Sequence, residues 1–146
     1  MRVALAAARN AVASGDIPVG AAIFDSAGKI VATGHNEREL TQDPTAHAEI
    51  VAIRRAAQIV GDWHLTDHTL VVTLEPCAMC AGAIAQSRLQ TVVFGAWDEK
   101  AGAVGSIWDL LRDPRSVFRT EVRAGVLADE CGQLITSFIQ GVRKKD

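Results

Sequence analysis

Apolar and polar residues alternate with a period that changes several times along this chain, and each change marks an element. Residues 2 to about 14 are alanine-rich with an apolar stripe, which predicts an amphipathic helix ended by Gly15. Residues 19–24 and 29–34 then predict two strands joined by the turn Asp25-Ser26-Ala27-Gly28. A helix is expected from about 45 to about 60, stopped near Gly61. The unbroken apolar run 69–74 reads as a buried strand. With a helix from 77 to about 86 and a strand over 91–94 it forms a βαβ unit, which requires parallel pairing. A glycine-rich connection, 102–105, leads to a short helix expected around Trp108 to Leu111. A last strand near 120–123 and a helix from about 128 to about 139 complete the pattern. With no linker, repeat or low-complexity tract, residues 1–146 predict one α/β domain, its sheet covered by helices on both faces. In such folds ligands sit at the C-terminal ends of strands.

Candidate chemistry concentrates in two short motifs, His47-Ala48-Glu49 and Pro76-Cys77-Ala78-Met79-Cys80. A structural zinc site closes with four protein ligands, whereas a hydrolytic one keeps three and leaves a position for water. His47, Cys77 and Cys80 make three, and Glu49 is then available to move protons. A CxxC pair alone suits redox chemistry as well, but that reading has no use for a nearby His-x-Glu. Two thiols at i and i+3 share one face of a first helical turn, where the helix N-terminus favours the thiolate that binds metal. Asp43-Pro44-Thr45 offers a cap and first turn that would place His47 at a helix start too. In mid-helix His47 and Glu49 would point about 200° apart, so a shared site requires a helix end. The bland alternative is a core histidine, a surface glutamate and two buried cysteines.

Composition is that of an ordinary globular chain: 49% apolar and 22% charged over 146 residues. No stretch reaches membrane-span length, and the apolar run after Met1 is broken by Arg9 and Asn10, too early for a secretory h-region. With two of three cysteines assigned to metal, Cys131 has no partner. A reducing, cytoplasmic setting is therefore expected, with Cys131 as a small core residue. The net charge of −2 does not advertise nucleic acid. Arg112, Arg115, Arg119 and Arg123, and the tail Arg143-Lys144-Lys145, form either a local phosphate-contacting patch or a solvated face.

The paired motifs carry the signature of zinc-dependent nucleobase deaminases. On them the chain resembles the cytidine and deoxycytidylate deaminase superfamily. Longer stretches are similar to its tRNA-adenosine branch, which makes wobble inosine: 17–21 (IPVGA), 43–50 (DPTAHAEI), 73–83 (TLEPCAMCAGA), 87–88 (SR), 93–96 (VFGA) and 125–131 (GVLADEC). The resemblance implies a three-layer α/β/α sandwich with a central mixed sheet of about five strands. It implies one zinc ion per subunit on His47, Cys77 and Cys80, with Glu49 as the catalytic proton shuttle and Asn36 as a substrate-binding residue. It also implies hydrolytic deamination of adenosine to inosine in a tRNA anticodon loop, by a cytoplasmic homodimer with no membrane association. Asn36 also suits a plain turn.

Departures from that branch concern the substrate. Val117-Phe118 stand before Arg119 where the branch carries Asn-His, and Phe138-Ile139 where it carries paired aromatics. Trp97, beside Asp98, suits either a stacking platform for an unpaired base or a packed core or subunit contact. These differences keep a second reading open, deamination of a free base or nucleoside such as cytosine or guanine, although the match after Gly125 argues against it. A third reading is a non-catalytic zinc domain that only binds RNA or a partner. An intact Glu49 counts against it.

Overall fold

A computed structural model describes residues 1–144. Lys145 of the basic tail lies outside the described residues. In chain order the elements are α1 (Arg2–Arg9), a 3-10 turn (Asn10–Ser14), β1 (Gly20–Phe24), β2 (Ile30–His35), α2 (Arg38–Thr41) and α3 (Ala48–Val60). They continue with β3 (Thr69–Leu74), α4 (Ala78–Gln86), β4 (Thr91–Ala96), β5 (Glu121–Arg123) and α5 (Ala128–Arg143).

Among the described residues five strands form one sheet in the order β2-β1-β3-β4-β5. β1 runs antiparallel to β2 and β3, while β3, β4 and β5 are mutually parallel. The mixed sheet follows from the connections. A short connection, residues 25–29, joins β1 to β2, whereas α4 carries the chain across from β3 to β4. The turn is shaped by Asp25, whose carboxylate accepts the amides of Ala27 and Lys29 at 2.9 Å each.

Apolar side chains lie on both faces of the sheet. One core joins Ile23, Leu70, Val72, Val92 and Phe94 to Ala48, Ala52 and Ala56 of α3 and to Ala81 and Ile84 of α4. A smaller one joins Leu5 of α1 to Ala96 and Cys131, so Cys131 is a core residue on the inner face of α5. Three layers result, as the resemblance implied. α3 lies so close to the sheet that a Cβ on Gly34 would come 2.7 Å from the Ala48 carbonyl oxygen. That close packing fixes the start of α3 against the strand ends. No helix in the described residues is long and apolar enough to cross a membrane.

Several boundaries differ from expectation. α3 begins at Ala48 rather than near 45, because the Asp43 carboxylate takes the amide (2.8 Å) and hydroxyl (2.7 Å) of Thr45 into a separate turn. The helix expected around Trp108 to Leu111 does not form. The Gly105 amide donates to the Trp108 carbonyl at 2.8 Å and the Leu110 amide to the Ala103 carbonyl at 2.9 Å. Val104 and Asp109 thus pair across a small bridge. Gly105, at φ 133, permits that path. α2 was not foreseen.

Candidate metal centre and active site

The three proposed ligands converge at the starts of two helices. His47 is the N-cap of α3 with extended backbone (φ −68, ψ 155), and Cys77 is the N-cap of α4 (φ −75, ψ 176). Because His47 stands outside the helical wheel, the separation expected within a helix does not apply, and its ring shares a cleft with Glu49 of the first turn. His47 Nδ1 lies 3.6 Å from Cys77 Sγ and 3.5 Å from Cys80 Sγ. All three ligand atoms fall within 4.8 Å of one another. Zinc bonds of about 2.3 Å to sulfur and about 2.0 Å to nitrogen put tetrahedral N and S ligands about 3.5 Å apart. The residues present therefore fit zinc.

Electrostatics point the same way. A hydrogen bond from the Cys80 thiol, aided by His47, outweighs burial and holds the Cys77 thiol down at about 3. The same bond, together with burial, pushes the Cys80 thiol up. Opposite shifts on two adjacent thiols mark them as a pair that cannot both ionise without a cation between them, which zinc would supply. The hydrogen bond with Cys77 raises the His47 pKa against its burial. Glu49 is 4% exposed. Burial pushes its carboxyl up to about 7, against the pull of its own amide and of His47. A carboxyl poised near neutrality can both take and give a proton.

Beside these groups opens a cleft of about 150 Å³, lined also by Asn36, Arg38, Ile17, Leu74, Asp98 and Ala101. It lies past the C-terminal end of β3, where ligands of α/β folds bind. Asn36 is 8% exposed. Its Nδ2 donates to the Ile17 carbonyl at 3.2 Å and its Oδ1 accepts the Arg38 amide at 3.3 Å. The side chain therefore shapes a turn and faces the cleft together, with one N–H and one lone pair left for a ligand.

The other residues expected to bear on substrate choice separate in space. Asp98 lines the cleft, whereas Trp97 packs edge-on against Phe94, ring centroids 4.9 Å apart. Val117 and Phe118 precede β5 and lie by the N-terminal ends of the parallel strands, away from the metal site. There the Arg88 guanidinium sits 3.7 Å over the Phe118 ring. Arg38 and Glu75 line the cleft without having been singled out from sequence. A charged residue closing the apolar run 69–74 was the one available signal for Glu75.

Residues 1–96 match the family model for the cytidine and deoxycytidylate deaminase zinc-binding region. The chain belongs to this deaminase family. It is 48% identical to the tRNA-specific adenosine deaminase of Haemophilus influenzae, over 99% of this chain and 84% of that one. A solved structure from work on A-to-I editing by tRNA:A34 deaminases at the wobble position superposes with a TM-score of 0.88. That match is at 36% identity and covers 92% of this chain and 96% of that one. A guanine deaminase from Nitrosomonas europaea is more distant, with a TM-score of 0.77 at 27% identity over 94% and 81% of the two chains. Family membership makes the protein a hydrolytic, zinc-binding deaminase, with His47, Cys77 and Cys80 positioned for the metal.

Proposed function

We propose that residues 1–146 act as one deaminase domain that hydrolyses adenosine to inosine in tRNA, at the wobble position of the anticodon loop. The observation that carries this reading is the meeting of a three-ligand metal site with the buried Glu49 carboxyl in a cleft walled by Asn36. Likeness over nearly the whole chain to the Haemophilus tRNA-specific adenosine deaminase supports the choice of substrate. Zinc, when bound, supplies Lewis-acid activation of water near neutral pH. Glu49 takes a proton from the water that attacks the amino-bearing ring carbon and gives it to the adjacent ring nitrogen. It then carries the remaining hydroxyl proton to the amino group, which leaves as ammonia, so water and adenosine become inosine and ammonia. Asn36 holds the nucleoside through its unused N–H and lone pair.

A homodimer in the cytoplasm completes the reading. Ile107 (45%), Trp108 (52%) and Leu110 (39%) expose apolar surface on one loop, which supports a subunit contact. Zinc-loaded protein incubated with an anticodon stem-loop should yield inosine in the RNA. Free adenosine, cytosine and guanine should release no comparable ammonia. Turnover of a free base alone would replace this reading by the nucleobase alternative.

A further inference from the structure

Glu75 stands between β3 and Cys77, is 2% exposed, and forms no ion pair among the described residues. A buried carboxylate without a cation is costly unless its oxygens are met by donors. Here all four donors come from one loop. Oε1 accepts the Asp98 amide at 3.1 Å and the Ser106 hydroxyl. Oε2 accepts the amides of Val104 at 3.0 Å and Ser106 at 3.1 Å. The backbone reinforces the attachment: Ala103 donates to the Pro76 carbonyl at 2.8 Å, and Cys77 pairs with Gly102 across a bridge. The loop lies so close that a Cβ on Gly102 would overlap the Glu75 carboxylate. Asp98 and Ala101 of this same loop line the cleft.

We propose that Glu75 is a positioning residue, holding the 98–106 loop as one wall of the substrate cleft and so setting how tightly the base is held. This rests on the reading of that cleft as the substrate site. Among the described residues the hydrogen bonds of the Glu75 carboxylate all run to the 98–106 loop and none to a metal ligand or to Glu49, so its removal should act on binding. Packing alone would not need so many donors on one carboxylate, since an apolar side chain would fill the space without a desolvation cost.

Glu75→Gln preserves the volume while turning one acceptor into an amino group that faces an N–H. Ser106→Ala removes a single donor and is the milder variant should Glu75→Gln fail to fold. In zinc-loaded full chain, both should raise KM for an anticodon stem-loop, Glu75→Gln by about tenfold, with kcat within about threefold of wild type. Zinc per chain should be unchanged, and faster amide exchange should be confined to residues 98–106. Loss of kcat at constant KM, or loss of zinc in step with activity, would overturn the proposal. If the wild-type chain leaves the stem-loop untouched, the functional reading falls by itself. Amide exchange then decides the positioning role, and unchanged exchange in Glu75→Gln overturns it.

Discussion

Asp16 accepts the backbone amide of Glu39 at 2.7 Å, across 23 residues of chain. Its second oxygen accepts the Leu40 amide at 3.2 Å and the Ser14 hydroxyl at 2.6 Å. α2 has no side-chain cap from its own N-cap residue, Glu37, so the carboxylate that satisfies its first amides arrives from the loop after the 3-10 turn. That loop also supplies the Ile17 carbonyl that holds Asn36. Asp16 is only 1% exposed and ties together the two segments that wall the cleft beside Asn36 and Arg38.

Replacing Asp16 by Ala should therefore cost about 1–3 kcal/mol of unfolding free energy, from a lost cap plus amides left buried without a partner. Urea denaturation at neutral pH measures it. Zinc stoichiometry should stay the same, because the three ligands stand at the starts of α3 and α4. A variant as stable as wild type would show that water replaces the carboxylate without loss.

The Asp16 contribution should also depend on pH. Burial opposes its charge, yet the Ser14 hydroxyl and the amides of Glu39 and Leu40 outweigh burial and hold the carboxyl below its usual range. A group whose pKa is depressed on folding contributes stability that is present above the unfolded value, about 3.9 for Asp. That contribution is lost as pH falls through the folded pKa. The stability gap between wild type and Asp16→Asn should thus be constant between about pH 5 and 7 and shrink below about pH 4. A gap independent of pH would mean that the charge contributes nothing.

Periodicity made the sheet and its long helices legible, because each buries a regular apolar face. The run 69–74 became β3 with the expected bounds, and the two motifs marked the metal centre since zinc demands particular ligand types at particular spacing. What stayed hidden depends on contacts distant in sequence. Asp16 and Glu75 look like ordinary acids until folding brings amides from elsewhere onto them. The missing helix near Trp108 has the same origin, since the local helical pattern yields to pairing of Val104 with Asp109. Val117-Phe118 shows a different limit: a departure from the family's usual residues does not reveal at which end of the strands it falls.

Zinc should stabilise the folded chain and lose that effect in Cys80→Ala. The Cys80 sulfur is fully buried and 3.5 Å from His47 Nδ1, so no surface group can substitute for it. Ligands that bind only the native state raise the melting temperature in proportion to the logarithm of their concentration over Kd. Wild type should bind one zinc per chain and melt higher with zinc than with a chelator. Cys80→Ala should show neither effect. Full zinc occupancy in that variant would displace Cys80 from the ligand set.

Val117→Asn restores one of the two polar residues that the tRNA-adenosine branch carries at this segment. Val117 is 86% exposed and does not line the cleft. The substitution should change stability by no more than about 0.5 kcal/mol and leave KM for the anticodon stem-loop as it was. A clear fall in KM would place bound RNA against the N-terminal ends of β4 and β5, well beyond the cleft.

Glu49→Gln separates chemistry from folding most sharply, because its two expected effects have opposite signs. The amide keeps the shape of the side chain but cannot take a proton from water, so kcat should fall by about 10²–10⁴-fold or more while zinc remains bound. The carboxyl it replaces is buried against its ionisation, its pKa pushed up to about 7. A neutral group removes that desolvation penalty, so the variant should be at least as stable as wild type at neutral pH. Steady-state kinetics on the zinc-loaded protein and urea denaturation of the metal-free chain check the two effects. Retained turnover would remove Glu49 from the proton-transfer role, whereas lost turnover accompanied by lost stability would point to a structural role instead.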